Sequence, residues 1–473
     1  MSARRSTAWT FAITSIALFM VALDNLVVTT ALPVIRADLG ASLSELEWMV
    51  NAYTLTFAVL LLTGAALGDR FGRRRIFVIG LAIFTAASAA AALAPSSDVL
   101  IVARAVQGVG GAFVTPLSLT ILSAAVPPER RALALGAWGG IAGLAIAIGP
   151  LVGGAIAEGV SWHWIFWLNV PIGIVAVILA ATRLPESHGP DSALDLPGLG
   201  LASGGLLALV WGVIHGNDYG WTDPRIAGAL VLGAVLMTGF VIWESRTKSP
   251  MLPLRFFRSR AFTSANVVSF LMYFGVFGAV FLLVQFFQVV QGLSPFQSGL
   301  RTLPWTAMPA IVAPIAGALA GRIGGRPILV AGMVLLSAGL FWIAAVTTPT
   351  VEYLVLVPGF VMAGIGMGLF FAPIANVVLS AVEPIEEGQA SGATNTIREI
   401  GGVFGVAVLA SVFSSAGSYQ TPQAFVDGLQ PAVFVGAAIV AVGAVVALAL
   451  PGRIPRAETP AVAPATAVAP TAG

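Results

Sequence analysis

The chain has 473 residues, of which 58% are hydrophobic and only 9% are charged. Soluble globular proteins carry about 25% charged residues, so this chain has too few charges to cover a folded surface in water. The composition excludes a soluble enzyme, a secreted scaffold and a disordered protein. It predicts an all-α integral membrane protein that crosses the bilayer many times.

The rarer residue types exclude further kinds of site. Cysteine is absent, and the three histidines (His163, His188 and His215) lie far apart in the sequence, so neither a disulfide framework nor a metal site is expected. The single lysine, Lys248, does not end a glycine-rich phosphate loop. We therefore expect no cofactor, no enzyme activity and no nucleic-acid partner, and an ion gradient as the energy source.

Fourteen apolar runs approach the length of about 20 residues that a membrane helix needs. The first run follows Arg4 and Arg5 but shows no small-residue cleavage site, so it is predicted to be a span and not a signal peptide. The predicted spans are 10–33, 46–68, 76–94, 99–121, 132–157, 164–182, 197–216, 226–244, 263–290, 298–320, 327–346, 351–378, 389–413 and 431–450.

Arginine placement predicts the orientation. When the fourteen spans are threaded through a bilayer, most of the 23 basic residues fall on one side. Because cytoplasmic loops are enriched in Lys and Arg, both termini are expected in the cytoplasm. Twelve spans would give the same excess of basic residues on the cytoplasmic side, because removing two adjacent spans leaves the other loops on their original sides.

A short internal repeat divides the chain. Ala65–Gly72 and Gly317–Gly324 each end in Arg-x-Gly, and they close the second and tenth predicted spans. If spans seven and eight are an insertion, each copy follows the second span of a six-span half, as in transporters built from parallel repeats. Chance similarity between Gly/Ala-rich turns is the alternative. The predicted units are 1–183 (first bundle), 184–262 (two added helices and a linker), 263–452 (second bundle) and 453–473 (a disordered tail).

Ionisable side chains inside a span cost roughly 2.5–3.5 kcal/mol on insertion scales, so those present are candidates for function. Asp24 stands in the middle of the first span, where it could carry a proton or neutralise a cationic substrate. A purely structural carboxylate is the alternative. Arg104 and Gln107 share one face of the fourth span. Arg104 could keep a nearby carboxylate ionised until substrate displaces the arginine from it. A static ion pair that ties helices together is the alternative.

Arg398 and Glu399 are the remaining charged candidates that lie clearly within a span. As neighbours on a helix they point about 100° apart, so each is expected to have a partner on another element. Asn395 shares their polar face. If these residues lie near the cytoplasmic edge of the membrane, a gate and a structural role are alternatives to a substrate site.

Two segments indicate conformational change. In the turn from Asp69 to Arg75, the enrichment of basic residues in cytoplasmic loops is enough to explain the arginines. It does not explain the acidic residue beside a glycine turn, which favours a conformational latch in which Asp69 is bonded in one state. The fifth span contains Gly149-Pro150 followed by Gly153-Gly154. Proline removes a backbone donor and glycine permits close approach, so this helix is expected to be pliable and tightly packed.

Taken in order, these segments resemble the major facilitator superfamily, specifically its fourteen-span drug:proton antiporters of the EmrB/QacA type. The sequence departs from the pattern at Ala65, Ala145, His163 and Glu399, which replace the usual Gly, Gly, Arg and Gln. Of these, the extra acidic group at Glu399 is the most individual feature. The matching segments are Leu23 to Pro33, Ala65 to Arg74, Arg104 to Gly108, Gly136 to Gly154, Ser161 to Gly173 and Asn395 to Gly402.

The resemblance implies the major facilitator fold, with two six-helix bundles around a cavity and two extra central transmembrane helices. It further implies a monomeric multidrug exporter of the bacterial cytoplasmic membrane that exchanges amphipathic or cationic drugs for protons by alternating access. An exporter of one metabolite, antibiotic or siderophore, and an importer, are the alternatives. A protein that is not a transporter (a channel, a receptor or an intramembrane enzyme) is a further alternative. No buried His/Asp or Ser/Lys constellation in the sequence supports an enzyme.

Four groups of residues follow as candidates. Proton coupling is assigned to Asp24, Arg104, Arg398 and Glu399. Substrate contacts are assigned to Asn25, Asn51, Tyr53, Gln107, Phe113, Trp138, Phe277, Gln285, Gln288 and Asn395. The cytoplasmic gate comprises Asp69, Arg70, Gly72, Arg73 and Arg322, and the antiporter motif comprises Gly136, Gly149, Pro150, Gly153 and Gly154.

Overall fold

A computed structural model describes residues 3–189, 194–383 and 386–451. Within these ranges the chain is helical throughout and contains no strand. The side chains of residues 3–6, 25, 321, 372 and 388, and of several residues between 128 and 146, fall outside the description. The predicted tail, 453–473, also lies outside the described residues.

The helices fall into two groups and an inserted pair. The first half comprises α1 (Ala3–Leu39), α2 (Leu43–Phe71), α3 (Arg73–Ala92), α4 (Ser97–Ala125), α5 (Pro128–Gly159), α6 (His163–Trp167) and α7 (Asn169–Arg183). The inserted pair is α8 (Leu196–Tyr219) and α9 (Pro224–Arg246). The second half comprises α10 (Arg260–Gln285), α11 (Pro295–Thr306), α12 (Met308–Ile323), α13 (Gly325–Val346), α14 (Tyr353–Ser380), α15 (Glu387–Ala416) and α16 (Pro422–Ala447).

Thirteen helical stretches in the described residues are long and apolar enough to cross a membrane. Two predicted spans are interrupted: the sixth comprises α6 and α7, and the tenth comprises α11 and α12. The fifth predicted span, 132–157, lies in α5, whose described apolar stretch is the shorter Ala147–Gly159. The total of fourteen spans therefore stays a prediction.

Side-chain caps and glycine turns set the helix boundaries. Ser42 and Glu45 form a capping box at the start of α2, so two backbone donors are satisfied where that helix begins. Gly72 alone connects α2 to α3 with φ +105°, and Gly324 alone connects α12 to α13 with φ +88°. Only glycine adopts such angles without strain. The two segments of the predicted repeat thus share one backbone turn.

The helices run between two ends of the bundle. We call the end that carries the α1–α2 loop the Arg36 end, and the opposite end, which carries the turn at Gly72, the Asp69 end. The halves meet closely at the Arg36 end, where Gln288 Nε2 donates to the carbonyl of Thr30 at 2.8 Å. The guanidinium of Arg36 also lies over the ring of Tyr419 in the α15–α16 loop.

Helix α8 packs between one helix of each half. Its apolar side chains join those of α2 and α15 in a single buried cluster, which we call the α8 seam. The amide of Asn217 near the end of α8 donates to Ser414 Oγ at 2.7 Å and to Ser411 of α15. The inserted pair is therefore in contact with both halves. The seam comprises Leu55, Val59, Leu206, Val210, Ile214, Val403 and Ala407.

Candidate functional site

The buried carboxylate of Asp24 is the centre of a polar network in the first half. Arg104 Nη1 on α4 donates to its Oδ2, and both residues are almost fully buried. Gln107 Nε2 donates to Oδ1 at 2.8 Å, and Asn169 Nδ2 on α7 donates to the same oxygen at 2.7 Å. Three helices therefore converge on one carboxylate.

The guanidinium of Arg104 is held from several sides. Its Nε donates to the carbonyl of Met49 at 3.2 Å, and its Nη1 also donates to Gln107 Oε1 at 2.8 Å. Its carbon atom lies 4.2 Å from the centroid of the Tyr53 ring. Its Nη2 is buried without a hydrogen-bond partner in the described part of the chain.

This network satisfies the charge of Asp24 while the ion pair is intact. Removing one partner of a buried pair leaves the other uncompensated, at a cost of about 3–5 kcal/mol. A proton that binds Asp24 removes that carboxylate charge, so it weakens the hold on Arg104 and leaves the guanidinium able to attract another anion. The ion pair and its hydrogen bonds therefore hold α1, α4 and α7 together around one carboxylate.

Sequence reasoning identified Asp24, Arg104 and Gln107 but missed two members of the network. Asn169 begins α7 and is buried against Asp24. Ser88 on α3 accepts a hydrogen bond from Gln107 Nε2 at 2.8 Å. An amide in the apolar run before Pro171 was the available signal for Asn169, whereas nothing distinguishes Ser88 from other small residues of its helix.

A cavity lies between the halves, and one part of it is mainly apolar. Thr30, Thr302 and Thr306 are among the few polar residues in it, and Pro150 of α5 also lines it. Walls of this kind suit the hydrophobic body of a drug-sized molecule. The apolar and aromatic lining residues are Leu26, Val50, Met272, Tyr273, Val276, Phe277, Val280, Phe281, Leu283, Val284, Trp305, Phe360, Met367, Phe371 and Val406.

A more polar part adjoins it and shares Leu26, Tyr273 and Phe277. The rings of Tyr273 and Phe277 are stacked, with centroids 5.3 Å apart. Tyr53, which touches Arg104 with one face, also lines this part, together with Asn395 and Glu399. Tyr53 therefore connects the cavity to the Asp24–Arg104 pair.

Glu399 and Arg398 differ in their surroundings. Glu399 lines the cavity and has no hydrogen-bond partner in the described part of the chain. Arg398 Nη1 donates to Asn395 on its own helix at 3.3 Å, and its guanidinium lies 5.6 Å from the ring centroid of Phe370 and 5.9 Å from that of Tyr273. On other helices, Glu399 interacts electrostatically with Tyr53 and Tyr273, and no hydrogen bond to another element is described, so the expected partner on another element stays a prediction.

The remaining substrate candidates are spread over the molecule. Tyr53, Phe277 and Asn395 line the cavity, whereas Gln107 is buried in the ion-pair network and does not line it. Gln288 does not line it either, because its amide joins the halves at Thr30.

Four further candidates do not line the cavity. Asn51 is fully buried on α2 with both amide atoms unpartnered among the described residues. Phe113 packs against Gly64 and Gly80 inside the first half. Gln285 accepts a hydrogen bond from the hydroxyl of Tyr419. Trp138 lies on α5 with its indole nitrogen unpartnered in the described part of the structure. The side chain of Asn25 is outside the described residues.

At the Asp69 end, the predicted gate contains a closed turn. Asp69 Oδ1 lies 2.8 Å from Arg73 Nε, and the positive φ of Gly72 lets α3 start at once. Glu186, which sequence reasoning missed, accepts a hydrogen bond from the backbone N–H of Arg74 at 2.9 Å. Arg70 lies over the neighbouring Phe71 ring.

The second copy of the turn is different, because Gly321 stands where the first copy has Asp69. Arg322 is exposed at the end of α12. Among the described residues, the ion pair and the contacts with the 184–189 segment occur at the first copy only, and the latch stays a prediction.

The glycines of α5 lie where helices touch. A Cβ atom built on Gly149 would lie 2.7 Å from Leu26 Cβ, and one on Gly153 would lie 2.8 Å from the backbone of Val27, both on α1. A Cβ on Gly154 would lie 2.3 Å from the carbonyl oxygen of Pro295 in the other half. The surroundings of Gly136 are outside the description.

The contact between α5 and α11 is made by glycine on both sides. A Cβ on Gly299 would lie 2.4 Å from the carbonyl oxygen of Pro150. This part of the predicted antiporter motif therefore lies directly at the junction of the halves.

Comparison with known proteins places these features in context. The sequence pattern of the Major Facilitator Superfamily matches residues 14–406 and 309–471. The chain is 34% identical over 435 residues to the tetracenomycin C resistance and export protein of Streptomyces glaucescens, covering 91% of this chain and 81% of that protein. It is 38% identical over 413 residues to the multidrug resistance protein Stp of Mycobacterium tuberculosis, covering 87% and 76%.

Among solved structures, a POT family transporter in complex with a thioalcohol-conjugated peptide superposes with a TM-score of 0.70. The match covers 93% of this chain and 95% of that one at 15% sequence identity. At this identity the likeness concerns the fold alone.

Proposed function

Because this chain belongs to the Major Facilitator Superfamily, we propose that it exports amphipathic cations in exchange for protons, as a member of the fourteen-span EmrB/QacA type. In this proposal the protein is a monomer in the bacterial cytoplasmic membrane with both termini in the cytoplasm. The Asp69 end then faces the cytoplasm and the Arg36 end faces outward. The energy comes from the proton gradient and needs no cofactor.

The observation that carries the proposal is the composition of the cavity. One part is lined by apolar and aromatic groups, and the more polar part contains Glu399, which interacts electrostatically with the neighbouring Arg398 but has no hydrogen-bond partner among the described residues. A drug-sized molecule with one positive charge would bury its body against the apolar walls. Its charge would then lie near Glu399, with Tyr273 and Tyr53 offering aromatic faces that favour a cation.

The Asp24–Arg104 pair supplies the coupling. Tyr53 lines the cavity and touches Arg104, so a cation at this ring acts on the pair electrostatically. Substrate binding would favour release of a proton from the acidic groups, and proton binding would favour release of substrate. One charge moving through 100 mV contributes about 2.3 kcal/mol, which corresponds to a concentration ratio of roughly 50-fold.

Close contact of the halves at the Arg36 end corresponds to a state closed to the outside. Export requires these contacts to separate while the Asp69 end closes. Glycine contacts between α5 and α11 suit such a reversible junction, because close backbone packing closes the path and no side chains interlock.

The decisive experiment measures transport in liposomes. Purified protein is reconstituted, a pH gradient is imposed, and the movement of ethidium, an amphipathic cation, is followed by fluorescence. We expect counterflow of ethidium and protons. Glu399→Gln should weaken ethidium binding by about 10- to 100-fold, since a charge-assisted contact contributes roughly 1.5–3 kcal/mol. Glu352→Gln, which changes an exposed carboxylate at the start of α14, is the matched control.

The role of Asp24 is tested by proton release from detergent-solubilised protein on addition of ethidium. Asp24→Asn should abolish coupled transport while ethidium binding at Glu399 persists. The antiport proposal fails if ethidium releases no protons and an imposed pH gradient drives no flux. Ethidium moving in the same direction as protons would indicate an importer.

A further inference from the structure

Glu47 on α2 is a buried carboxyl group that the transport cycle described above does not use. It lies one turn inside the Arg36 end of the helix and only 3% of its surface is exposed. Its Oε2 has no hydrogen-bond partner in the described part of the chain. One turn further along the same face, Asn51 is fully buried, and both atoms of its amide are likewise unpartnered.

Glu47 lies at the Arg36 end of the α8 seam. On its own helix, Trp48 packs against the seam and Leu55 belongs to it. Asp218 at the end of α8 and Tyr419 in the α15–α16 loop are close enough to interact electrostatically with Glu47. The carboxyl group is therefore enclosed by elements of both halves and the inserted pair.

The charges around Glu47 do not compensate a carboxylate. Asp218 has the same sign, and His215 Nδ1 on the same helix lies 3.6 Å from its Oδ2. Two cations lie at this end. The guanidinium of Arg36 lies over the Tyr419 ring and its Nε donates to the carbonyl of Ala41, and the guanidinium of Arg225 lies over the Tyr219 ring. The part of α15 that packs here contributes the hydroxyls of Ser411 and Ser414.

An ionised carboxylate enclosed in this way would cost several kcal/mol, because no cation is bonded to it. The protonated form carries no charge and its desolvation costs less. The closed Arg36 end thus favours a neutral Glu47.

The site is separate from the Asp24–Arg104 pair. Met49 and Tyr53 are the α2 residues that contact Arg104. At about 100° per residue, Glu47 and Asn51 face away from that side of the helix. One helix therefore presents two polar groups to two different neighbours.

We propose that Glu47 is a second proton-binding site, which holds a proton while the Arg36 end is closed and releases it to the solvent when α2 separates from α8 and α15. The separation is the alternating access of the proposed function, on which this inference rests. On opening, the O–H bond of the carboxyl group breaks, the proton passes to water and the carboxylate becomes hydrated. On closing, a proton from the solvent on that side is taken up again.

The consequence is a direction for the pH effect. Since closing binds one proton at Glu47, acid on the Arg36 side favours the closed end, and each pH unit changes the ratio of closed to open molecules by up to tenfold. Glu47→Gln mimics the protonated form. This variant should keep the Arg36 end closed at high pH, and the contribution of Glu47 to the pH dependence of opening should disappear.

Two measurements test the inference. The first is infrared spectroscopy of the purified protein, in which a protonated carboxyl group has its own carbonyl band that shifts in D₂O. The difference between the native chain and Glu47→Gln should show the loss of one such band. Glu45→Gln, two residues away and only partly buried, keeps the capping box and should lose none.

The second measurement is the distance between spin labels on Ala37→Cys and Gln423→Cys, two exposed positions in different halves. The native chain should open as the pH rises, whereas Glu47→Gln should stay closed. An infrared difference without a lost band, or an unchanged pH response of the distances, would overturn the inference.

If Glu47→Gln does not fold, Glu47→Asp should shift the band in frequency, and an unshifted band counts against the proposal. The infrared result does not depend on transport. Loss of the Glu47 band in a protein that fails the ethidium antiport test would refute antiport and leave the proton site standing.

Discussion

The guanidinium of Arg36 lies 3.4 Å from the centroid of the Tyr419 ring, and this contact joins the end of α1 to the loop between α15 and α16. A cation over an aromatic ring contributes about 0.5–2 kcal/mol. Because the two residues belong to different halves, that energy is present only while the Arg36 end is closed.

We predict that Arg36→Ala shifts the molecule toward opening at the Arg36 end by roughly 2- to 30-fold. Distances between spin labels in the two halves would measure the shift, and the absence of native cysteine allows direct labelling. Arg301→Ala is the control, since Arg301 lies over Tyr353 within the second half. Equal shifts in both variants would contradict a role in closure.

Tyr419 should make the protein sensitive to alkaline pH. Burial raises the pKa of Tyr419, and Arg36 opposes this. The folded state thus holds the phenol proton more tightly than the unfolded chain, whose tyrosines titrate near pH 10. The resulting stability is present below about pH 10 and is lost as the pH rises above it.

We expect Tyr419→Phe to lose about 1–3 kcal/mol at neutral pH, because the carbonyl oxygen of the buried Gln285 loses its donor. Between pH 9 and pH 11, the free energy of unfolding should then fall less in this variant than in the native chain. Thermal unfolding in detergent across this range measures both effects. Tyr353→Phe, whose hydroxyl donates to the carbonyl of Arg301, is the control; an alkaline response that Tyr419→Phe leaves unchanged would refute the assignment.

Asn169 is predicted to hold the carboxylate of Asp24 in its network. Asn169→Asp places a second carboxyl group where an amide nitrogen now lies 2.7 Å from Asp24 Oδ1. Two carboxylates this close do not both ionise, so ethidium-induced proton release should move to higher pH by at least about one unit. Asn266→Asp, a buried change on α10 in the other half, should leave the profile in place.

The glycine contact between the halves should tolerate no side chain. Gly154→Ala or Gly299→Ala would put a methyl group within 2.4 Å of a backbone oxygen of the opposite half. Overpacking of this kind costs about 1–3 kcal/mol and acts on the closed Arg36 end alone. We expect opening to increase by roughly 5- to 150-fold and ethidium transport to slow.

Gly140→Ala is the control for this pair, because nothing lies within 4 Å of a Cβ atom at that position of α5. Spin-label distances and liposome transport should both resemble those of the native chain. A Gly154→Ala protein that closes normally would show that the junction has room to adjust.

The membrane helices and the importance of Asp24 and Arg104 could be predicted from the sequence. Long apolar runs have one stable form in a bilayer, since every backbone polar group must be bonded internally. A charge inside such a run is expensive, so Asp24 and Arg104 stand out, and each needs a partner. The sequence did not show that Asn169 completes the network, because an amide in an apolar run has many possible contacts.

The cavity lining was much harder to predict than the spans. Asn51, Gln285 and Gln288 are polar residues in spans, which made them candidates, yet each lies away from the cavity. A one-residue error in helix phase turns a side chain by about 100°, so a position in a span does not fix the direction of a side chain. Glu47 escaped notice because it lies near a span end, where carboxylates commonly reach water.

The turns at Gly72 and Gly324 share a backbone conformation but not a charge. In the first, the partly buried carboxylate of Asp69 is bonded to Arg73, and in the second, glycine replaces the aspartate. Dissolved ions screen charges over about 8 Å at physiological ionic strength, and they act less on a partly buried pair than on an exposed one. Added salt therefore acts on the turn of the first half and spares that of the second, so a salt dependence of movement at this end would be a property of one half of the duplicated architecture.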